Sequence, residues 1–162
     1  MIFALLFVTA TLFGEIYGCV EEEKYPFFAT LTADLVNPNV GDKVKFDNAI
    51  TNKGSAYDVN TGIYTAKATG KYFFEFVASG PYHQDDHVLH LALKKNTQTI
   101  GYVYIDHDRQ YYRHGTTSAV VDLNVGDQVY VQVFAVAGYR VLAGSNPMIS
   151  PGSHCHFLGY RI

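Results

Sequence analysis

The stretch KYFFEFVA, Lys71 to Ala78, is apolar on both sides of an extended chain. Successive side chains of a strand point to opposite faces, so Tyr72, Phe74, Phe76 and Ala78 share one face, and Phe73 and Val77 flank Glu75 on the other. A strand of this kind has to bury both faces, which places it inside a sheet rather than at an edge. The run CHFLGYRI, Cys155 to Ile162, reads the same way. Around these two, apolar and polar residues alternate in KVKF (Lys43 to Phe46), GIYTA (Gly62 to Ala66), HVLHLALK (His87 to Lys94), TIGYVYI (Thr99 to Ile105), TTSAVVDL (Thr116 to Leu123) and QVYVQVFA (Gln128 to Ala135). No helical period is sustained over three turns. Short strands separated by turn residues at this spacing predict an all-β antiparallel sandwich or barrel.

The chain has 162 residues, with 13 tyrosines, 11 phenylalanines and no tryptophan, enough for one well-buried domain. Its net charge of -3 supplies no basic field, which excludes a nucleic-acid binder of the electrostatic kind. The first residues, MIFALLFVTATLFGEIYG, form an apolar run too short to span a bilayer comfortably and closing on small or turn residues. Residues 1–18 are therefore read as a signal peptide, 19–25 as a short N-terminal segment and 26–162 as one globular domain. The competing readings of the first run are a first strand or a membrane anchor. Secretion implies an extracellular, oxidising setting in which Cys19 and Cys155 could form disulfides. There is no internal repeat, collagen-like Gly triplet or coiled-coil heptad, so any oligomer has to be built by the domain itself.

From Phe46 to Phe76 the chain resembles the signature of the globular C1q domain. The matching positions are Phe46, Asn52, Tyr57, Tyr64, Gly70, Tyr72, Phe74 and Phe76, and at Tyr64 the family has Phe, so that the ring is kept and a hydroxyl added. FFATLTA (Phe27 to Ala33) is similar to the family's first strand, LNVGDQVYV (Leu123 to Val131) to its late hairpin and FLGYRI to its closing strand. In that last strand Leu158 stands for a small polar residue and Arg161 for a Leu. The resemblance covers residues 26 to 162. It implies a ten-stranded antiparallel jelly-roll sandwich of the C1q and tumour-necrosis-factor type, packed as a homotrimer through its inner sheet. The two-faced strands agree with that, because the central strand of a trimerising sheet would bury both faces. Burial within one subunit is the other way to satisfy them.

Connections in an antiparallel fold alternate between two ends of the domain. One end receives ATG (Ala68 to Gly70), KNTQ (Lys95 to Gln98) and NVGD (Asn124 to Asp127), short turns of ordinary chemistry. The other receives PYHQDD (Pro81 to Asp86), DHDRQYYRHG (Asp106 to Gly115) and AGYRVLAGSNPMISPGSH (Ala137 to His154). Loops carried on a rigid scaffold are where binding residues concentrate. By the resemblance this end is the trimer apex. Arg109, Tyr111, Tyr112, Arg113, Tyr139 and Arg140 combine planar guanidinium donors with aromatic faces, a set suited to acidic glycans. An ordinary exposed loop, in which tyrosine pairs protect the sheet edge, accounts for the same residues equally well.

His83, Asp85, Asp86, Asp106 and Asp108 form a candidate metal set whose oxygens suit calcium, an ion bound at the apex by some relatives. The segment lacks the ligand spacing of an EF-hand, and solvated, turn-capping aspartates are the plainer reading. His87 shares parity with Leu89 and Leu91 and is expected to be buried, while His90 lies on the opposite face. His154 and His156 flank Cys155 on alternate positions, a spacing also found in metal-binding cupins, but no Glu ligand follows and interface packing is expected instead.

The function expected is that of a secreted trimeric innate-immune recognition protein, lectin-like, binding acidic glycans or other microbial surface ligands. The alternative is an extracellular calcium- or heavy-metal-binding protein of structural or mineral-associated role. No enzyme motif is present, no cofactor is required with calcium the one candidate ion, and neither nucleic acid nor membrane insertion is expected. Cys155 begins the last strand at the loop-bearing end and Cys19 precedes the first strand at the other. A disulfide needs Cα atoms within about 7 Å, so Cys155 is expected as a buried free thiol and Cys19 as a bridge between chains.

Overall fold

The computed structural model describes residues 23–36, 38–80, 88–106, 113–137, 140–141 and 155–162. Among them run the strands β1 (Phe27–Thr30), β2 (Leu35–Val36), β3 (Asn48–Asn52), β4 (Tyr57–Asp58), β5 (Ile63–Thr65) and β6 (Gly70–Gly80). These are followed by β7 (Val88–Lys95), β8 (Gln98–Asp106), β9 (Arg113–Leu123), β10 (Gln128–Ala137), β11 (Arg140–Val141) and β12 (His156–Arg161). Ten of them form two five-stranded antiparallel sheets, ordered β3-β1-β12-β6-β9 and β4-β5-β10-β7-β8, while β2 and β11 pair separately. This is the expected ten-stranded jelly roll, and the two-faced runs β6 and β12 sit side by side inside the first sheet.

The core between the sheets is aromatic. Phe27 stacks on Tyr57 with centroids 4.8 Å apart and meets Phe157 edge-on at the same separation. Tyr64 is edge-on to Phe74 at 5.2 Å. Each such pair adds roughly 0.5–1.5 kcal/mol beyond the area it buries. Gly159 in β12 shows how closely the rings approach: a Cβ there would lie 2.3 Å from Phe74 Cδ1 and 2.9 Å from Phe27 Cε1.

The residues that carry the family resemblance hold this core. Phe46, Tyr57, Tyr64, Tyr72, Phe74 and Phe76 are buried. Asn52 clasps the backbone of Tyr57: its amide donates to the Tyr57 carbonyl at 2.7 Å, and its oxygen accepts from the Tyr57 N–H at 3.1 Å. The hydroxyl that Tyr64 adds to the family's phenylalanine donates to the Tyr25 carbonyl at 3.2 Å, so it is satisfied although the residue is buried. Arg161, where the family has Leu, lies against Gly70 and donates to the Thr69 carbonyl at 2.9 Å.

One strand expectation is corrected. KVKF does not form a regular strand, and its only ladder contact is an isolated bridge from Lys43 to Gln132. Val44 and Phe46 are nevertheless buried, and the Val44 N–H donates to the Val131 carbonyl at 2.9 Å. The alternation there reports burial of a segment laid along β10, without a full ladder.

Candidate functional site

Register shows which ends of the strands lie together. Gly80, the last residue of β6, pairs with Arg113, the first of β9. Val88, the first of β7, pairs with Asp106 at the end of β8 and with Ala137 at the end of β10. The chain re-enters the first sheet at His156, opposite Val77. All three long connections therefore leave from and return to one end of the sandwich. At the other end Gly70 pairs with Leu123 and Lys95 with both Gln98 and Val129, closed by short turns. The Arg161 N–H donates to the Lys24 carbonyl at 2.7 Å at this base.

Of the predicted glycan set, Arg113 is exposed at the start of β9, and the backbone of Arg140 pairs with Val36. Of the metal set, Asp106 closes β8. Arg109, Tyr111, Tyr112 and Tyr139, the metal candidates His83, Asp85, Asp86 and Asp108, and also His87, His154 and Cys19, lie outside the described residues. No cluster of three or more His, Cys, Asp or Glu that could hold a metal occurs among the described residues.

Beneath the loop-bearing end the sheet carries a polar knot. The Ser79 hydroxyl is hydrogen-bonded to His114 Nδ1, and the Ser79 N–H donates to Cys155 Sγ at 3.2 Å. Cys155 is a buried free thiol, as expected, and burial pushes its pKa up to about 11, outweighing the hydrogen bonds from Ser79. A thiol held in the neutral form is neither a nucleophile nor a metal ligand at neutral pH.

The outward faces of the two sheets differ. On the first, the strands β1, β12 and β6 set Phe28, Leu158, Phe73 and Val77 half-buried beside the more exposed Tyr160, and β9 adds the exposed Val120. Phe73 packs on Tyr160 at 5.6 Å. His156 lies on the Phe28 ring at 5.3 Å, with its Nε2 3.9 Å from Glu75 Oε1. The second faces of the two-faced strands are thus only partly covered within one chain.

The second sheet carries a row of rings on its outward face. Tyr102 stacks near-parallel on Tyr104 at 5.8 Å, Phe134 meets Tyr102 edge-on at 5.4 Å, and His90 meets Tyr104 edge-on at 4.5 Å. Sequence reasoning missed this cluster. Alternation in TIGYVYI put Tyr102 and Tyr104 on one face, but nothing local indicates that Phe134 joins them across β7.

Comparison with known proteins gives a consistent result. A model of the C1q domain matches residues 26–151. The collagen alpha-1(X) chain of Mus musculus is 30% identical over 104 residues, which are 64% of this chain and 15% of that one. This chain therefore spans only a small part of that collagen's length. Among solved structures, the globular domain of zebrafish complement 1qA protein matches with a TM-score of 0.62 at 19% identity, over 87% of this chain and 98% of that one. Eiger TNF from S. frugiperda matches with a TM-score of 0.61 at 14% identity, over 87% and 94%. At these identities the structural matches speak for the fold alone. No helix among the described residues is long and apolar enough to cross a membrane.

Proposed function

The chain belongs to the C1q domain family, and from that membership we propose that it is a secreted, homotrimeric recognition protein that binds acidic glycans of microbial surfaces and catalyses no reaction. The observation that carries this reading is the convergence of the three long connections on one end of a rigid sandwich. Arg113 stands exposed at the threshold of that end. In sequence these connections also bring Arg109, Tyr111, Tyr112, Tyr139 and Arg140, residue types of which a guanidinium holds a carboxylate bidentately and a phenol offers both ring face and hydroxyl.

The partly covered outward face of the first sheet supports trimer formation. Phe28, Phe73, Leu158, Tyr160 and Val120 make a contiguous apolar surface of the kind that marks an interface. Three copies on one body would present three equivalent weak sites together, which multiplies avidity without new contacts. Sedimentation should return a trimer that persists under reducing conditions, and a monomer at micromolar concentration would overturn this part.

A glycan array read with and without EDTA tests the recognition reading. Binding to sialylated or uronate-bearing glycans in both conditions is expected. A blank array together with calorimetric calcium uptake would replace it with a calcium- or heavy-metal-binding role, carried by His83, Asp85, Asp86, Asp106 and Asp108.

A further inference from the structure

We infer that the outward face of the sheet β10-β7-β8 is a second carbohydrate-binding surface, which takes an acidic oligosaccharide. Its pyranose rings would stack on Tyr102, Tyr104 and Phe134 and its carboxylates meet Lys43 and Lys94. The inference rests on the reading of the protein as a glycan-binding domain but uses no residue of the loop-bearing end.

The surface is organised by register. Lys43, Gln132, Ala92 and Tyr102 form one row across the sheet. Tyr130 and Lys94 lie in the row on the base side, and His90 and Tyr104 in the row on the other. With strands about 4.8 Å apart, the long row spans roughly 14 Å, the reach of a short oligosaccharide. Ala92 is buried at its centre and lets the flanking rings come together above it.

Phe134 of β10 supplies the third ring. Val133 pairs with Leu91 and Ala135 with His90, so Phe134 has no partner on β7. The regular alternation of β10, with Val129, Val131 and Val133 buried, turns Phe134 outward on the face of Tyr130 and Gln132, and the irregularity follows it at Ala135. Here Val133 stays in the core while Phe134 stands 51% exposed against Tyr102. Tyr102 and Tyr104 are 41% and 56% exposed. Single exposed apolar residues are ordinary, but contiguous half-exposed rings mark a binding surface.

Polar groups select the ligand's chemistry. Neither the Tyr102 nor the Tyr104 hydroxyl has a hydrogen-bond partner among the described residues, which leaves both for a ligand. Lys43 Nζ lies over the Tyr130 ring at 4.9 Å, and Lys94 Nζ donates to Thr99 Oγ1 at 2.9 Å. These three rows thus carry two ammonium groups and no carboxylate. Flat rings, free phenols and positive charge together fit an acidic sugar better than a neutral one. Because the two sheets turn their outward faces to opposite sides of the sandwich, trimerisation through the first sheet leaves this face in solvent.

Calorimetric titration of the intact protein with tetragalacturonate, and with uncharged cellotetraose as its counterpart, tests the inference. Tyr102→Ala combined with Tyr104→Ala should weaken tetragalacturonate binding roughly tenfold or more, in line with the worth of a stacked ring. Tyr102→Phe with Tyr104→Phe, which keeps the rings, should retain most of the affinity. Lys43→Gln with Lys94→Gln should weaken binding and flatten its salt dependence. The loss caused by Tyr102→Ala with Tyr104→Ala should persist in an Arg113→Ala background, where any contribution of the loop-bearing end is already reduced. Unaltered binding by the double alanine variant, no binding by the parent, or equal binding of cellotetraose would overturn the proposal. Loss confined to Arg113→Ala would overturn it too while leaving the loop-end reading intact. Far-ultraviolet circular dichroism of each variant separates lost binding from lost fold.

Discussion

The two ends of the sandwich are built on opposite plans. At the base, two neighbouring turns are locked to each other through Asn96 and Asp127. Asn96 adopts a left-handed φ of 51°, and its amide donates to Asp127 Oδ1 at 2.9 Å. Its side-chain oxygen accepts from the Gln128 N–H at 2.9 Å, and its carbonyl accepts from the Tyr130 hydroxyl at 2.7 Å. Asp127 also accepts from the Asn124 N–H at 2.9 Å. At the other end β6 and β9 finish on Gly80 and an exposed Arg113, and the fixed contact lies one row beneath, between Ser79 and His114. Side chains at the base are committed to the backbone of the scaffold, whereas the far end is where the three long connections depart. A sequence can therefore change at one end without disturbing what the other end holds together.

Substitution at Asn96 should have the largest effect on stability. Asn96→Ala removes both side-chain hydrogen bonds and puts a residue without local side-chain bonding in the left-handed region, for a loss of about 2–3 kcal/mol in denaturant unfolding. A midpoint equal to the parent's would break the contrast between the ends.

Asp127 sharpens it through pH. The Asn96 amide first, then the Asn124 N–H and the nearby Lys95 ammonium, hold its carboxyl below the usual carboxylate range. A pKa depressed in the folded state contributes stability above the unfolded value of about 3.9, and this contribution is lost as pH falls through the folded value. On acidification from pH 6 to 3 the parent's Tm should therefore fall more steeply than that of Asp127→Asn. Parallel curves would show that the carboxylate is not coupled to folding.

At the opposite end Arg113→Ala should change stability by no more than about 0.5 kcal/mol while weakening the glycan binding found on the array. A variant that unfolds would make Arg113 part of the scaffold and erase the distinction.

Much of the scaffold was legible in the sequence because burial leaves a period. Tyr72, Phe74 and Phe76 alternate with outward residues, and β6 runs through them; β7 to β10 and β12 were read in the same way. β3 was not read, because NAITN is almost wholly exposed and an edge strand with little burial has no apolar period to show. β2 and β11 are two residues each and exist only through a pairing of Leu35 and Val36 with Val141 and Arg140, a contact between distant segments that no window contains. The same limit hid the aromatic row, since the strand order that sets Phe134 across β7 from Tyr102 is a property of the sheet. The loop-bearing end was located by counting alternations alone, and register agrees with that count.

The order of strands in the first sheet sets a timetable for synthesis. β12 lies between β1 and β6, the first of the described strands and one made midway, yet it is itself the last of the twelve to be translated. A ribosome adding about 5–20 residues per second holds the emerging chain for seconds with β1 and β6 unable to meet their common neighbour. During that interval the edges that will receive β12 stand open, and Phe27 and Phe74 lack the Phe157 ring that closes over both. A chain stopped a few codons before Phe157 would lose the middle of a sheet rather than a tail, and should appear in cells as aggregate or degraded product rather than as a shortened domain.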